Sequence, residues 1–442
     1  MREVIRVQGQ FLGMNCLFTP AENRASHTRY LEDLALRIIC IFALDRFGDF
    51  GSDQVVAPVR EVCGQVLGVV LKFMDADLVV KVLGCLPQLQ DAKRWEVRHG
   101  GLLGLRYLLS VREDLTKEIL PAALQPIMRG LLDTEDYVRY VAADALLPVC
   151  GTLTEVFVDK VPSLLALLWD TLLALDDLTV STSSVLQLLS QLCLTSPVLG
   201  LLKEGQLKGE PLSKLVPRLW PFFRHNISAV RHAVLKTLRV LFELQGNSSW
   251  LEPDILQAAC RHTFQNIILE KDATVFHEST ETLAFIVSRI PKDLLDPTMA
   301  SLVPSWLAIL STPLGLALPT SLFLFAVKLT ETTLPASVSR VAPHGVQAKQ
   351  PPINVDLIEA GDPKDFGAET IIRNRMAAAV QIAKLIIRLP SEQSPASQEI
   401  AGTLQKLLTS DWAFQRRMGA IVLQELVQFS IIILIIIIII VV

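Results

Sequence analysis

Three short stretches of the chain share a Val-Arg pair: Trp95-Glu-Val-Arg98, Asp136-Tyr-Val-Arg139 and Ser228-Ala-Val-Arg231. Apolar residues follow the second pair in steps of three and four, and these steps place them all on one face of an α-helix. The pattern therefore predicts that each Val-Arg pair opens an amphipathic helix. The residues on this face of the second helix are Val138, Val141, Ala142, Ala145, Leu146 and Val149.

Valines recur along the chain at nearly constant intervals of 41, 41, 42, 50 and 45 residues: Val56, Val97, Val138, Val180, Val230 and Val275. An apolar-Pro segment precedes three of these positions, and proline fits the first turn of a helix. Between the two features lies an acidic turn such as Leu132-Asp-Thr-Glu-Asp136. Paired helices that recur every ~40–47 residues are typical of HEAT and armadillo repeats. We predict an all-α fold, a HEAT/armadillo-type α-solenoid or α-α superhelix. The apolar-Pro segments begin Leu120-Pro121, Val161-Pro162 and Val216-Pro217.

Two copies of the repeat fit the pattern poorly. The helix after Val180 begins with Ser181-Thr-Ser-Ser184, which gives it a polar face, and Glu278 stands where an apolar residue is expected after Val275. Either the register of these copies differs or their faces are exposed.

Composition and patterning divide the chain into five segments. The last of them contains only Ile, Leu and Val, is shorter than the ~20 apolar residues of a spanning helix, and lacks flanking basic residues. We interpret this tail as translated simple-repeat DNA, with a tail anchor as the alternative. The predicted segments are an unmatched N-terminal stretch (1–28), the HEAT solenoid (29–329), a loop or inserted linker (330–365), further helical repeats (366–430) and the isoleucine-rich tail (431–442).

Motifs for catalysis are missing from the sequence. There is no phosphate-binding P-loop, no dinucleotide-binding glycine fingerprint, no serine-hydrolase elbow and no complete H-E-x-x-H zinc motif. Seven cysteines without a C-x-x-C pair indicate small buried hydrophobes in a reducing compartment. A net charge of -4 argues against a general nucleic-acid or membrane-surface binder. We predict no catalytic, cofactor or metal site and no small-molecule substrate, which leaves a binding role.

The predicted turns between paired helices are acidic. Their carboxylates either cap the next helix or form a stripe along one edge that faces a basic partner. Arg98, Arg139 and Arg231 could reach the same acids, in which case they form a ladder between repeats. The candidate partner-binding residues are Asp133, Glu135, Asp136, Asp176 and Asp177.

Several stretches resemble the TATA-binding-protein-associated remodelling factors. The most specific is Trp95-Glu-Val-Arg-His-Gly-Gly-Leu-Leu-Gly104, because ordinary HEAT repeats do not share its glycines. The resemblance is dense from Leu31 to Leu244 and thinner to about residue 428. Other similar stretches are Leu31-Glu-Asp-Leu-Ala-Leu-Arg37, Ala43-Leu-Asp-Arg-Phe-Gly-Asp49 and Val216-Pro-Arg-Leu-Trp-Pro221.

The resemblance implies a nuclear transcription regulator. Members of that family grip the TATA-binding protein with an N-terminal HEAT solenoid, and a C-terminal Swi/Snf-type ATPase strips that protein from DNA. By the resemblance, the partner here is the TATA-binding protein, DNA is reached only through it, and the five acids face it. We expect a central part of the gripping region, without the first repeats, the latch segment or the ATPase. A generic HEAT interaction scaffold and a tail-anchored membrane protein remain the alternatives.

Overall fold

The computed structural model of the chain describes residues 20–46, 49–51, 54–174, 181–203, 210–243, 250–316, 318, 363–388 and 395–429. Nearly all of these residues are helical, and successive helices pack side by side as in a solenoid. The predicted all-α solenoid class is therefore confirmed. The chain divides into two compact units, residues 1–244 and 245–442.

The first unit repeats a helix, a turn and a second helix. Two short antiparallel strands, β1 (Asp49–Gly51) and β2 (Gln54–Val56), lie between the first two helices. The helices are α1 (Pro20–Leu44), α2 (Pro58–Phe73), α3 (Ala76–Cys85), α4 (Trp95–Val111), α5 (Thr116–Leu131), α6 (Asp136–Leu146), α7 (Cys150–Val156), α8 (Val161–Thr171), α9 (Ser181–Cys193), α10 (Ser196–Lys203), α11 (Leu212–Leu215) and α12 (Ser228–Glu243).

The second helices of the repeats form one continuous layer. Helix α2 packs on α4, α4 on α6, α6 on α9, and α9 on α12. Val97, Val138 and Val230 are buried where these helices meet, as their spacing predicts. The prediction is wrong for Val56, which lies in strand β2. The Val-Arg pair of this repeat is Val59-Arg60, in the first turn of α2. Val180 lies outside the described residues.

The polar start of α9 is buried rather than exposed. Ser181, Thr182 and Ser184 are almost fully covered. The main-chain amide of Ser181 donates to the carboxylate of Asp136, and the Ser184 hydroxyl donates to Asp144 Oδ1 at 3.0 Å. Helix α6 therefore supplies acceptors for Ser181 and Ser184, whereas the buried Thr182 hydroxyl has no hydrogen-bond partner among the described residues.

Proline marks the helix starts less reliably than predicted. Pro162 stands in the first turn of α8, as expected, and Pro217 in the first turn of a 3₁₀ segment, Val216–Arg224. Pro121, however, lies inside α5, which begins five residues earlier at Thr116. Ile119 and Leu120 are buried, so the apolar face of α5 continues ahead of the proline.

Glycines in α4 permit a close approach of the neighbouring elements. A Cβ atom added to Gly101 would lie 2.8 Å from Leu89 Cβ and 3.0 Å from the carbonyl oxygen of Leu86. Contacts below 3.0 Å between such atoms require the backbone to move. The glycine therefore sets the distance between α4 and the 3₁₀ segment Leu86–Asp91.

We expect Gly101→Ala to destabilise the first unit by about 1–3 kcal/mol through overpacking. Gly84→Ala is the matched control, since nothing lies within 4 Å of its added Cβ. A helical Gly→Ala change in open space should instead stabilise by up to ~1 kcal/mol. Urea unfolding of the full chain measures both, and equal effects would contradict this packing.

The second unit has the same all-helical construction. Helix α1 begins at Pro20, inside the predicted N-terminal segment (1–28). Of the predicted linker (330–365), only residues 363–365 are described, and they form the start of α16. The isoleucine-rich tail lies outside the described residues. The segment boundaries stay predictions. The helices are α13 (Pro253–Leu269), α14 (Ala273–Arg289), α15 (Lys292–Leu310), α16 (Pro363–Phe366), α17 (Ala368–Ile387), α18 (Pro395–Leu408) and α19 (Ala413–Phe429).

Helix α17 caps the C-terminal ends of α13, α14 and α15. The buried Asn374 amide donates to the carbonyls of Ile268 and Glu270, at 3.2 and 2.9 Å, at the end of α13. Arg388 donates to Val287 and Ile290 at the end of α14, and Arg375 to Leu310 and Thr312 at the end of α15. The last carbonyls of a helix lack internal partners and favour cations. Burial lowers the pKa of Arg375 to about 10. Helix α17 therefore holds the second unit together.

Replacement of Asn374 by Ala should cost the second unit about 1–3 kcal/mol, because the Ile268 carbonyl loses its side-chain donor and the Glu270 carbonyl keeps only the 3.5 Å contact from Arg373. Amide hydrogen exchange of the full chain should show faster exchange at the end of α13 and unchanged exchange in the first unit. Met376→Ala, on the same helix but 44% exposed, serves as the control. Unchanged protection in N374A would refute the capping role.

No single helix in the described ranges is both long and apolar enough to cross a bilayer. Two consecutive helical segments, residues 136–156 and 158–171, are long and apolar enough only when taken together, and they are bent by 110° where they meet.

Candidate partner-binding surface

The arginine of each Val-Arg pair closes the turn that precedes it. One guanidinium nitrogen donates to the main-chain carbonyls five and six residues earlier, which fixes the path of the turn. The pairs are Arg98 with Ala92 and Lys93 at 3.1 and 3.0 Å, Arg139 with Asp133 and Thr134 at 2.7 and 3.1 Å, and Arg231 with His225 and Asn226 at 2.7 and 3.0 Å.

Arg98 also ties its own repeat to the next one. Its Nε and Nη2 donate to the two carboxylate oxygens of Asp133 at 2.6 and 2.7 Å. Both side chains are mostly covered, with 16% and 9% of their surface exposed. Asp133 in turn accepts the amide of Glu135 at 2.9 Å. This bidentate pair fixes the second turn relative to the first.

The pKa of Asp133 reflects opposing influences. Burial raises it, but the hydrogen bonds from Arg98 and from the Glu135 amide, with the charges of Arg98 and Arg139, lower it more, so that the net shift is downward. The same contact raises the pKa of Arg98. Asp133 is therefore ionised in the folded chain and stabilises it at neutral pH.

Asp136 continues the ladder to the third turn. It pairs with Arg139 at 3.1 Å and accepts the main-chain amide of Ser181 at 3.2 Å. Arg139 reaches the Ser181 hydroxyl at 3.5 Å. The predicted arginine–acid ladder between repeats is thus present at Arg98. At Arg139 the paired acid belongs to the same repeat, and the amide and hydroxyl of Ser181 provide the link to the next one.

The five predicted acids therefore take different positions. Asp133 and Asp136 point into the ladder, and Glu135 lies half-buried between them on the turn. Asp176 and Asp177 lie outside the described residues. Their role toward a partner stays a prediction.

The solvent side of the same edge has mixed charge. Asp91 pairs with Arg129 at 3.1 Å, and both side chains are mostly exposed. Lys93 and Arg94 are exposed, and Leu132 is 66% exposed. The described part of the edge therefore offers both signs of charge around an apolar residue, with Glu135 as the acid that the ladder holds in place.

Two repeat positions escaped the sequence pattern. In α2 the repeat arginine is Arg60, which is fully buried, lies 3.3 Å from Asp45 and sits 5.4 Å from the centre of the Trp95 ring. Burial lowers its pKa, and Asp45 opposes that shift. The β-hairpin replaces the usual short turn before α2, so the interval between repeat valines differs here. In the sequence, the pair Val59-Arg60 could have identified this repeat position.

In α14 the repeat position holds Phe276 instead of an arginine. Arg373 of α17 covers the Phe276 ring at 4.3 Å and donates to the carbonyl of Glu270 at 3.5 Å. That carbonyl lies six residues before Phe276, where a repeat arginine would bind. A residue almost a hundred positions away thus replaces the missing arginine.

The described residues offer no group of three or more His, Cys, Asp or Glu side chains placed to hold a metal. Burial raises the pKa of the Cys150, Cys193 and Cys260 thiols to about 12. These cysteines are therefore protonated at neutral pH and pack as small apolar residues, as predicted. The prediction is wrong for Cys40, which is exposed, and for Cys85, which is only half-buried.

Two family models match parts of the chain. A domain of unknown function, DUF3535, matches residues 281–431, and the Vacuolar 14 Fab1-binding region matches residues 96–192.

Whole-chain relatives decide the family. The chain is 37% identical to the human TATA-binding protein-associated factor 172 over 96% of its own length. It is 32% identical to BTAF1 of Arabidopsis thaliana over 89%, and 35% identical to MOT1 of Saccharomyces cerevisiae over 67%.

The chain belongs to the TATA-binding protein-associated factor family. It spans only 23% of the human relative's length and 22% of the plant relative's. The chain therefore corresponds to a part of those factors.

Solved structures agree with the fold that this family assignment implies. The Mot1 N-terminal domain, solved in complex with TBP, aligns with 79% of the chain and 37% of its own length at a TM-score of 0.52 and 18% identity. Kap121p bound to RanGTP aligns with 98% of the chain and 41% of its own length at a TM-score of 0.50 and 14% identity. At these identities the likeness shows the solenoid fold alone.

For this member of the family, Asp133→Ala should destabilise the chain by about 2–3 kcal/mol at pH 7, since Arg98 is left buried without its partner. Asp91→Ala removes an exposed pair and should cost under about 0.5 kcal/mol. Urea unfolding at a series of pH values measures both.

The lowered pKa of Asp133 sets the pH dependence. Its stabilisation is complete above the ordinary aspartate pKa of about 4 and is lost as pH falls through the lowered value. The difference in free energy of unfolding between wild type and D133A should therefore become smaller below about pH 4. A gap that is constant with pH would mean that the ionised pair contributes nothing.

Proposed function

We propose that the chain is part of a TATA-binding-protein-gripping solenoid and that the ladder edge of its first unit contacts that protein. The ladder edge comprises Asp91, Lys93, Arg94, Arg129, Leu132 and Glu135. The observation that carries the proposal is the bidentate Arg98–Asp133 pair, which fixes the turn that bears Glu135. A preformed surface loses little entropy on binding.

Family membership supports the choice of partner. The relatives carry the TATA-binding protein in their names, and the Mot1 N-terminal domain was solved with TBP. We infer that the chain acts in the nucleus, meets DNA only through its partner, and binds without hydrolysing ATP itself. The ATPase of full-length relatives would supply the removal step.

The five predicted acids divide into two groups under this proposal. Asp133 and Asp136 shape the surface from inside, because their carboxylates are held by Arg98, Arg139 and the Ser181 amide. Glu135, together with Asp176 and Asp177, supplies charge to the basic partner. Charge complementarity of this kind raises the association rate more than the affinity.

Glu135→Lys should weaken binding of the full chain to purified TATA-binding protein by about three- to tenfold, mainly through a slower association rate. Kinetics at two salt concentrations measure it, and the difference should shrink at high salt. Asp176→Lys with Asp177→Lys tests the remaining pair of acids.

Glu118→Lys is the matched control, since Glu118 is an exposed acid near the start of α5, away from the turn. Circular dichroism should show unchanged helix content in every variant. Unaltered kinetics in both acid-reversed variants would overturn the acidic contact. Absence of any complex with the well-folded chain would overturn the partner and favour a generic HEAT scaffold.

A further inference from the structure

A row of apolar side chains on α2 stays partly open to solvent. Its members are spaced by four, three and four residues, which places them on one face of the helix. Val69 is 44% exposed, and the other three are half-buried. We call this row the α2 stripe. It consists of Val62, Val66, Val69 and Phe73.

The α2 stripe lies on the side of the helix that points away from α4. The side toward α4 carries Gly64 and Gly68. A Cβ atom added to Gly64 would lie 2.7 Å from the Tyr107 ring of α4, and one added to Gly68 would lie 3.3 Å from the same ring. At about 100° per residue, the glycines and the stripe fall on nearly opposite sides of α2. Helix α4 therefore leaves the stripe uncovered.

The second helices that follow in the first unit show no such row. Each of α4, α6 and α9 packs between two other second helices, whereas α2 packs on α4. A stacked helix needs a polar outer face wherever stacking stops, so an apolar stripe indicates that a further helix continues the layer. The fully exposed side chains of α4, α6 and α9 are polar: Ser110, Gln187 and Gln191.

The sequence ahead of α1 repeats the pattern of α2. Gly9-Gln-Phe-Leu-Gly13 matches Gly64-Gln-Val-Leu-Gly68 at four of five positions. Residues 1–19 lie outside the described residues. Apolar residues at helical spacing predict a helix of the same kind as α2. The same alignment pairs an apolar residue with each member of the α2 stripe: Val7 with Val62, Phe11 with Val66, Met14 with Val69 and Phe18 with Phe73.

The alignment also reproduces the connection to the next helix. Helix α2 ends at Phe73, and α3 begins three residues later at Ala76. Phe18 is the counterpart of Phe73, and α1 begins two residues after it at Pro20. The segment therefore stands in the chain where a second helix of the repeat is expected.

We propose that residues 4–18, here called the cap segment, form a helix that packs on the α2 stripe and continues the layer of second helices. The side of the cap segment that faces α2 carries Gly9 and Gly13, as the side of α2 that faces α4 carries glycines. The segment covers an apolar surface that would otherwise face solvent.

The repeat register places Val69 at the centre of this contact. Aligning Val59-Arg60 of α2 with Val97-Arg98 of α4 makes Val69 the counterpart of Tyr107. Tyr107 is the residue that packs against the glycine side of α2. By the same arrangement Val69 packs against Gly9 and Gly13, which let the two helix backbones approach closely.

A second copy of the chain fits the α2 stripe less well than the cap segment does. Two copies joined here would set one stripe against another, with branched side chains such as Val66 on both sides and no glycine between the helices. The cap segment is also joined directly to α1, which itself packs on α2. Closing so short a connection costs little chain entropy.

Photo-crosslinking of the full chain tests the contact directly. A benzophenone side chain at position 69 should react with the cap segment of the same molecule, and mass spectrometry of the digested protein identifies the linked peptides. The same probe at position 80 is the matched control. Val80 is also an exposed valine of the first unit, but it lies on α3, so this probe should not reach the cap segment.

Amide hydrogen exchange of the full chain measures the helix itself. Residues 5–17 should exchange at least about tenfold more slowly than they would in an unfolded chain. Val69→Asp should remove this protection, because it sets a carboxylate against the apolar side of the segment. Val80→Asp, the same change at the other exposed valine, should leave the protection unchanged.

Gly13→Leu tests which side of the cap segment faces α2. Leucine favours a helix more than glycine does, so a helix that packs through another side would gain protection. We expect protection of residues 5–17 to fall by at least about fivefold, because the added side chain collides with Val69. Gln10→Leu is the control, since its counterpart Gln65 is exposed. Circular dichroism should show that every variant is folded.

Three results would overturn the proposal. They are exchange of residues 5–17 as fast as in an unfolded chain, equal exchange in the Val69→Asp and Val80→Asp variants, and crosslinks from position 69 that join two molecules, which would assign the stripe to a second copy. Crosslinks within one molecule, with protection lost in Val69→Asp and Gly13→Leu alone, support it.

Discussion

The interaction on which the structure depends is the hydrogen bonding between the repeat arginine and the carbonyls of its own turn. A turn between two antiparallel helices leaves its main-chain carbonyls without partners in either helix. One guanidinium satisfies two of them and keeps further donors for an acid in the next repeat. Arg98 does both, through Ala92 and Lys93 on one side and Asp133 on the other. Arg98 therefore closes its own repeat and joins it to the next one, which fixes the turn that carries Glu135.

In the second unit, side chains from a distant helix bind the turn carbonyl before α14. Phe276 stands where α14 would carry its arginine, and Arg373 with Asn374 of α17 serve the Glu270 carbonyl instead. The cations of α17 therefore stabilise helix ends elsewhere in the unit. One repeat lattice closes its turns in two ways. In the first unit the arginine belongs to the helix that follows the turn, and before α14 the arginine comes from another helix.

Periodicity predicted the fold because Val97, Val138 and Val230 are core residues whose spacing is set by packing. It failed at Val56, where a β-hairpin shifts the register, and at Ser181 to Ser184, where buried polarity depends on partners in another helix. The acids were located but not their orientation. Whether Asp133 faces a partner or Arg98 depends on a contact 35 residues away, which no local pattern records. Arg373 takes over the role of the arginine that is missing at position 276. The sequence could not show this for the same reason, because the two positions are far apart in the chain.

Hydrogen exchange of the full chain, measured alone and with the TATA-binding protein, tests the central claim most directly. The account predicts that the turn from residue 132 to 137 is already protected in the free chain, because the ladder holds it, and becomes further protected in the complex. A turn that exchanges freely without the partner would contradict the rigid edge. Protection that arises only elsewhere on adding the partner would contradict its role as the contact surface.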